Sequence, residues 1–198
     1  NIDESGEIAY NWTYVDELFD FFKEIDIKPF VELGFMPSEL KRSDEETMSW
    51  WKANISPPKD VSLWTDLIKA FVKHCIDRYG LHEVSTWYFE VWNEPEYRGV
   101  FWAGTKEEYF ELYKATTVAI KSISEKLQIG GPAITHGTIL NSTWLNDFLL
   151  YCNRHDIPID FVSTHVYPEY ICQETLKELK DDFIHDLPQI GLMGIGLC

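Results

Sequence analysis

Two patterns of apolar residues alternate along the chain. In one, apolar residues recur at helical spacing, and in the other they form short continuous runs. A spacing of three or four positions indicates a helix, and a compact apolar run bounded by turn residues indicates a buried strand. Because parallel strands need helical crossovers, the alternation predicts an α/β fold. The predicted helices are 14–25, 63–76, 105–127, 144–152 and 174–184, and the predicted strands are 28–35, 86–92, 129–134 and 159–167.

Residues at the predicted helix ends agree with these boundaries. Thr13 is an N-cap candidate for the first helix, and Gly80 is expected to end the second. Thr105 and Glu108 have the spacing of a capping box at the start of the third helix. The proline pair at 57–58 predicts a long loop before the second helix.

Two α/β architectures fit the alternation, an open doubly wound sheet and a (β/α)8 TIM barrel. A nucleotide-binding open sheet carries a glycine-rich turn after a strand, whereas Gly130 and Gly131 lie inside a predicted strand and precede Pro132. This difference favours the barrel. A complete barrel usually needs about 250 residues. The 198 residues and four strands therefore predict a single partial barrel domain over 1–198, with the opening strands before residue 1.

Composition excludes several classes of function. The 33 acidic and 17 basic residues give a net charge of −16, which argues against a nucleic-acid partner. No run of about 18 apolar residues exists, so no membrane span is predicted. Aromatic residues make up 15% of the chain, which favours a cleft lined with rings.

The cysteines predict neither a metal site nor a redox site. They are far apart and form no pair with two residues between them, so zinc and thioredoxin-like motifs are not supported. Buried free thiols on helix faces are the favoured interpretation of Cys75, Cys152, Cys172 and Cys198.

Glu94 is the first candidate for chemistry, within the Asn-Glu-Pro run at 93–95 that follows the second strand. Alternation along an extended chain places Tyr88, Glu90, Trp92 and Glu94 on one face. Active sites of α/β barrels lie at the carboxyl ends of strands. A carboxylic acid there, among aromatic rings, suits general acid catalysis, and the alternative is a glutamate that only caps a loop.

The last predicted strand offers a second candidate. Ser163, His165 and Tyr167 share a face, and the latter two lie near the carboxyl end. An imidazole and a phenol there could hydrogen-bond ligand hydroxyls or orient a carboxylate. The alternative is a core histidine with internal partners. No second histidine or carboxylate lies at metal-ligand spacing, so no metal is predicted.

Two further glutamates, Glu32 and Glu90, fall in the middle of apolar strands. A buried carboxylate without a partner is very costly, so each needs a cation. The predicted strands contain no arginine or lysine apart from Lys28 at a strand entrance. The missing cation is therefore expected on a strand outside this chain.

Five segments, taken in order, carry a family resemblance. The longest is Lys-Pro-Phe-Val-Glu-Leu-Gly-Phe-Met-Pro at 28–37, and the next is Phe-Glu-Val-Trp-Asn-Glu-Pro at 89–95. The others are 10–16, Gly-Gly-Pro-Ala at 130–133, and Asp-Phe-Val-Ser-Thr-His at 160–165. Together they resemble glycoside hydrolase family 39, and its bacterial β-xylosidases more than its α-L-iduronidase branch. The resemblance covers roughly residues 10–167.

The resemblance implies a retaining glycosidase that releases xylose from β-xylosides without a metal or organic cofactor. This chain would supply about strands three to six of the TIM barrel, with Glu94 as general acid/base. An inward arginine on an earlier strand would be the missing cation. The substrate-binding residues that the resemblance implies are Asn93, His165, Tyr167, Phe101 and Trp102.

The match weakens after Tyr167. The nucleophile of the family is a glutamate at the end of strand seven, whereas the last glutamate here is Glu178 and residues 189–198 contain no carboxylate. Residues 168–198 are therefore expected to form a divergent or irregular tail. We expect the nucleophile outside the chain, and the chain alone to be inactive.

Other interpretations of the sequence stay open. The same mechanism could serve an α-L-iduronidase-like or β-glucosidase-like activity, and the chain could also be a non-catalytic sugar-binding fragment. A uronic acid substrate calls for a cation, which the predicted cleft strands lack. An incomplete barrel exposes sheet edges, which predicts aggregation or a homo-oligomer. No signal peptide is recognisable, which favours a cytoplasmic over a secreted protein and leaves the compartment open.

Overall fold

Helices and strands alternate in a computed structural model, which describes residues 8–48 and 50–166. The helices are α1 (Thr13–Glu24), α2 (Val61–Tyr79), α3 (Leu81–Val84), α4 (Lys106–Lys121), α5 (His136–Asn141) and α6 (Trp144–Arg154), and the strands are β1 (Phe30–Leu33), β2 (Tyr88–Val91), β3 (Gln128–Thr135) and β4 (Phe161–His165). The four predicted strands and first four predicted helices are confirmed, while α3 and α5 are additions. The predicted helix 174–184 lies outside the described residues. No described helix is both long and apolar enough to cross a membrane.

The four strands form one sheet in the order β1-β2-β3-β4, and every neighbouring pair is parallel. Each connection carries at least one helix, as parallel pairing requires. The predicted parallel α/β fold is therefore confirmed, with four strands in the described part of the chain. Because the strands are parallel, their carboxyl ends lie along one edge of the sheet.

The ends of α2 and α4 follow local side-chain chemistry. Asp60 caps α2 by accepting a hydrogen bond from the Ser62 backbone N–H at 2.8 Å. The helix ends at Gly80, as predicted, where φ is +84° and glycine is favoured. The predicted capping box of Thr105 and Glu108 is present at the start of α4.

Two predicted helix boundaries are wrong. Trp12, not Thr13, is the N-cap of α1, because the Asn11 side chain accepts hydrogen bonds from both the backbone N–H and the hydroxyl of Thr13. The third predicted helix ends at Lys121 instead of near Leu127. There the Lys121 ammonium donates to the Leu127 carbonyl at 2.8 Å, as the chain turns towards β3.

The main core lies between the sheet and the helices that cover it, and it is rich in aromatic side chains. Their buried polar atoms have partners. The Trp64 indole N–H of α2 donates to the Thr116 hydroxyl of α4 at 2.9 Å. The Tyr109 hydroxyl donates to the carbonyl of Val91 at 2.9 Å, which joins α4 to the end of β2. These bonds remove the cost of burying the donors.

Two of the cysteines are buried free thiols, as predicted. Cys75 lies on α2 and Cys152 on α6, and burial raises the pKa of each thiol to about 12. Both thiols therefore stay protonated and unreactive at neutral pH. Cys172 and Cys198 lie outside the described residues.

β3 and β4 approach closely at Gly130, which is paired with Phe161. A Cβ atom on Gly130 would lie 2.2 Å from the carbonyl oxygen of Phe161 and 2.7 Å from its Cγ. Only glycine fits this position. The register shifts further along, between Pro132 and Ile134, so β3 is irregular where it nears the carboxyl edge.

One side of the sheet presents apolar surface to solvent. Among residues 8–48 and 50–166, no strand pairs with the outer edge of β1, and a groove of about 510 Å³ lies between α1, β1 and α2. An exposed apolar stripe on α1 continues this surface. It consists of Tyr14, Leu18, Phe21 and Ile25. Contiguous apolar surface of this kind is typical of a region that packs against further protein.

Candidate active site

Glu94 lies just beyond the carboxyl end of β2, in a turn with unusual backbone angles. The φ angles of Trp92 and Glu94 are +68° and +44°, in the left-handed region that non-glycine residues rarely adopt. Strand alternation therefore stops at Val91. The Trp92 ring packs against Trp64 of α2 at 6.3 Å between centroids, so the expectation that it shares a face with Glu94 is wrong. The Glu94 N–H donates to the Ala133 carbonyl at 3.1 Å.

His165, the last residue of β4, is hydrogen-bonded to Glu94. Its Nδ1 lies 2.8 Å from Oε1 of Glu94, although 71 positions separate the two residues. Burial alone would lower the pKa of His165, but the hydrogen bond to Glu94 and the charges of Glu90, Glu94 and Glu32 outweigh it and raise that pKa. The Glu94 side chain itself is almost fully buried. The pair thus joins the buried carboxyl group of Glu94 to the imidazole of His165, whose protonated form is favoured.

Glu32 and Glu90 lie side by side behind this pair, as register partners on β1 and β2. Glu90 is 4% exposed, whereas Glu32 is exposed to solvent. Desolvation by surrounding protein atoms, with the charges of Glu90 and Glu94, raises the pKa of Glu32 to about 7 against the opposing effect of His165. Burial also raises the pKa of Glu90, against a hydrogen bond from Ser163. Both carboxyl groups are therefore poorly compensated.

His165 is the basic partner of Glu94, but the described residues supply no lysine or arginine for these acids. No lysine or arginine among them forms a salt bridge with Glu32, Glu90 or Glu94. Side-chain atoms of Glu32, Glu90 and His165 lie within 4.8 Å of one another, an arrangement that linear spacing did not reveal because three strands contribute. Two carboxylates and an imidazole this close have the ligand types of a metal site, and the carboxylates also suit the arginine that the family resemblance implies.

Asn93 and Phe101, two of the predicted binding residues, are both partly accessible to solvent. Asn93 directly precedes Glu94 in the loop after β2. The Phe101 ring stacks on Phe35, with centroids 6.3 Å apart and planes at 24°. Phe35 follows β1 and was not singled out from the sequence, although it belongs to the segment at 28–37. The two rings form a stacked pair that joins the segment after β1 to the loop after β2.

Trp102 does not reach the surface of the site. It is 1% exposed, its indole N–H donates to the Thr105 carbonyl at 2.8 Å, and its ring packs edge-on against Trp92 at 5.1 Å between centroids. The ring therefore supports the loop from within and presents no face to a ligand in this conformation. Tyr167, the remaining predicted binding residue, lies outside the described residues.

Sequence reasoning missed Glu96. Its Oε1 accepts hydrogen bonds from the Thr135 backbone N–H at 2.6 Å and from the Thr138 hydroxyl at 3.3 Å. These contacts join the loop after β2 to the end of β3 and to α5. No local signal in the sequence marks the residue, because its partners are about forty positions away.

The structure is thus a parallel α/β sheet with a carboxyl group bonded to an imidazole at its carboxyl edge, where proteins of this class bind ligands. The family follows from comparison with known proteins. The model of glycosyl hydrolases family 39 matches residues 2–185, and the chain belongs to this family. The resemblance drawn from the sequence is therefore confirmed.

Similar relatives include two named β-xylosidases. The enzyme of Geobacillus stearothermophilus is 42% identical over 96% of this chain and 38% of its own length. That of Caldicellulosiruptor saccharolyticus is 42% identical over 90% of this chain and 35% of its own. A solved family 39 β-xylosidase from Caulobacter crescentus gives a TM-score of 0.83 at 40% identity, over 97% of this chain and 41% of that one. The chain thus spans about two fifths of these relatives or less.

Proposed function

We propose that this chain is part of the catalytic domain of a retaining β-xylosidase, with Glu94 as general acid/base. The observation that carries the proposal is the bond between Glu94 and His165 at the carboxyl edge of the sheet. Family membership and the similarity to named β-xylosidases support it. The substrate is a β-xyloside or a xylo-oligosaccharide, and the product is xylose.

In this mechanism, Glu94 protonates the glycosidic oxygen as the leaving group departs, and then deprotonates the water that releases the sugar. The protonated Nδ1 of His165 donates a hydrogen bond to Oε1 of Glu94. The other oxygen, Oε2, accepts no hydrogen bond from the described residues and so carries the transferred proton. His165, whose pKa is raised, keeps donating and stabilises the carboxylate that Glu94 becomes.

A retaining mechanism also needs a carboxylate nucleophile about 5–5.5 Å from the acid/base. Glu32 and Glu90 do not suit this role, because a nucleophile must be ionised and the pKa of each is raised, that of Glu32 to about 7. Both also lie within their strands rather than at the carboxyl edge. The nucleophile is thus expected outside the described residues, and the chain alone is expected to be inactive.

The remaining site residues bind the sugar. Asn93 donates to the 2-hydroxyl, and Phe101, stacked on Phe35, forms a wall of the pocket. Tyr167, which lies outside the described residues, is proposed as a further sugar-binding residue. Trp102, buried beneath this loop, acts through packing.

The four-stranded sheet forms strands three to six of a (β/α)8 TIM barrel. Residues 1–198 are then one partial catalytic domain with a divergent tail at 168–198. The apolar groove along β1 supports this placement, since a preceding strand and helix would fill it. An arginine on such a strand would pair with Glu32 and Glu90 and relieve their repulsion. The reaction needs no metal or organic cofactor.

The alternatives differ in substrate. A uronic acid would call for a cation, and no described lysine or arginine pairs with the acidic residues of the site. A β-glucosidase-like enzyme would prefer a glucoside, and a sugar-binding fragment would turn over neither. The acidic surface argues against a nucleic-acid partner.

Hydrolysis of aryl β-xyloside, aryl β-glucoside and aryl α-L-iduronide tests the proposal. Each is offered to the 198-residue chain and to a longer protein containing it, with Glu94→Gln and the exposed control Glu17→Gln. We expect xyloside turnover only in the longer protein, slowed about 10²- to 10⁴-fold by Glu94→Gln and unchanged by the control. Turnover by the chain itself, lost in Glu94→Gln, would place the second carboxylate within it. Sugar binding without turnover in the longer protein would refute the catalytic assignment.

A further inference from the structure

The turn that carries Glu94 is strained, and so is the segment that it contacts. Glu94 has a φ of +44° and Ala133 a φ of +56°, and neither is glycine. The two meet through the hydrogen bond from the Glu94 N–H to the Ala133 carbonyl. Left-handed backbone at non-glycine residues persists only where surrounding contacts hold it. The position of Glu94 therefore depends on other bonds between the loop after β2 and the end of β3.

Glu96 makes those bonds. Its Oε1 accepts from the Thr135 N–H at 2.6 Å and from the Thr138 hydroxyl at 3.3 Å. The Thr135 hydroxyl also donates to the Tyr97 hydroxyl at 3.5 Å. The loop after β2 is thus attached to the end of β3 both at Glu94 and two residues later. We call the bonds of Glu96 to Thr135 and Thr138 the Glu96 brace.

The geometry points to Glu96 as a positioning residue that keeps Glu94 within hydrogen-bonding distance of His165. This inference rests on the proposed role of Glu94 for its meaning in catalysis. Oε1 of Glu94 meets Nδ1 of His165 at 2.8 Å, so a displacement of about 1 Å would break that bond and misdirect Oε2. The Glu96 brace acts on the reaction only through Glu94.

The hydrogen bonds of Glu96 use one of its two oxygens, so a substitution can separate their effect from that of its charge. Oε2 is buried and has no hydrogen-bond partner among the described residues. Burial raises the pKa of Glu96, and the charge of Glu94 adds to the rise. The brace uses only the acceptor Oε1, which a glutamine also provides. Glu96→Gln should therefore keep the position of Glu94, and Glu96→Ala should lose it.

NMR of the 198-residue chain tests the inference without turnover. The two readouts are the resonance of the His165 Nδ1–H and the hydrogen-exchange rate of the Glu94 amide, with the Phe89 amide as a core reference. Glu96→Ala should weaken or abolish the resonance and speed Glu94 exchange about tenfold, with Phe89 unchanged. Glu96→Gln should restore both readouts, and Thr138→Val should give a smaller change in the same direction.

Several outcomes would overturn the inference. Wild-type readouts in Glu96→Ala would show that no brace exists. Equal effects of Glu96→Ala and Glu96→Gln would assign the effect to charge, and faster exchange at both Glu94 and Phe89 would indicate general destabilisation. If Glu96→Ala does not fold, Thr138→Val becomes the test. An unchanged His165 resonance and an unchanged Glu94 exchange rate in that variant would count against the Glu96 brace.

Kinetics in a longer, active protein give an independent readout. There, Glu96→Ala should lower kcat about tenfold or more and leave KM within about twofold, because substrate contacts are kept. An unchanged kcat would contradict the inference. If that protein shows no turnover at all, the proposed function fails, while the NMR result still decides whether Glu96 positions Glu94.

Discussion

Replacing Glu32 with glutamine should stabilise the chain at alkaline pH and have little effect at acidic pH. Desolvation and the charges of Glu90 and Glu94 raise the pKa of Glu32 from 4.5 to about 7 in the folded chain. The folded state then holds this proton more tightly than the unfolded state. Stability is therefore lost as the pH rises between about 4.5 and 7. Glutamine does not ionise, so the variant avoids this loss.

The size of the effect follows from the rise in the pKa of Glu32. A change from 4.5 to about 7 corresponds to at most about 3 kcal/mol in the free energy of unfolding. Glu32 keeps contact with solvent at the open edge of the sheet, and screening there reduces the effect. We expect the effect of Glu32→Gln on the free energy of unfolding to be about 1–2 kcal/mol more stabilising at pH 8 than at pH 5.

Urea unfolding at pH 5 and pH 8 measures this difference directly. The wild type and Glu32→Gln are compared with Glu17→Gln, an exposed glutamate of α1 whose replacement should act equally at both pH values. Equal effects of Glu32→Gln at both pH values would show that the pKa of Glu32 is not raised in the folded chain, and destabilisation at pH 8 would show that Glu32 already has a cation partner. In a longer protein that supplies the proposed arginine, the sign should reverse and the substitution should destabilise at pH 8.

Three further predictions concern the sheet, the site and the open face. Gly130→Ala should lower the free energy of unfolding by about 2 kcal/mol or more in urea, because its Cβ would overlap β4. The control Gly137→Ala, with no atom within 4 Å of its Cβ, should be nearly neutral. Equal losses in the two variants would contradict the close pairing of β3 and β4. The raised pKa of His165 stabilises the folded state below about pH 6.5, and this contribution is lost as the pH rises. His165→Asn should therefore lower the free energy of unfolding more at pH 5.5 than at pH 8.5. An equal loss at both pH values would refute the raised pKa. The wild-type chain should self-associate in size-exclusion chromatography, and Leu18→Lys with Phe21→Lys should reduce this; a monomeric wild type would count against it.

The fold was predictable where the chain obeys local rules. The apolar periodicity gave every strand described, and the capping box at Thr105 and the glycine at position 80 marked helix ends through chemistry confined to a few residues. The cap of α1 was misplaced because Asn11 competes with Thr13 as the residue that satisfies the first turn. The short helix α5 carries too few apolar positions to show a period.

The site was less predictable because its contacts join distant segments and its backbone departs from regular geometry. The Asn-Glu-Pro run identified Glu94, but ideal alternation placed Trp92 beside it, and the positive φ angles of both residues send the indole into the core. The partners of Glu94 and Glu96 come from β3, α5 and β4, whose arrangement depends on sheet order. The positive φ of Glu94 opposes the local backbone preference, so surrounding bonds must maintain it. This is why a substitution two residues away should change the position of Glu94.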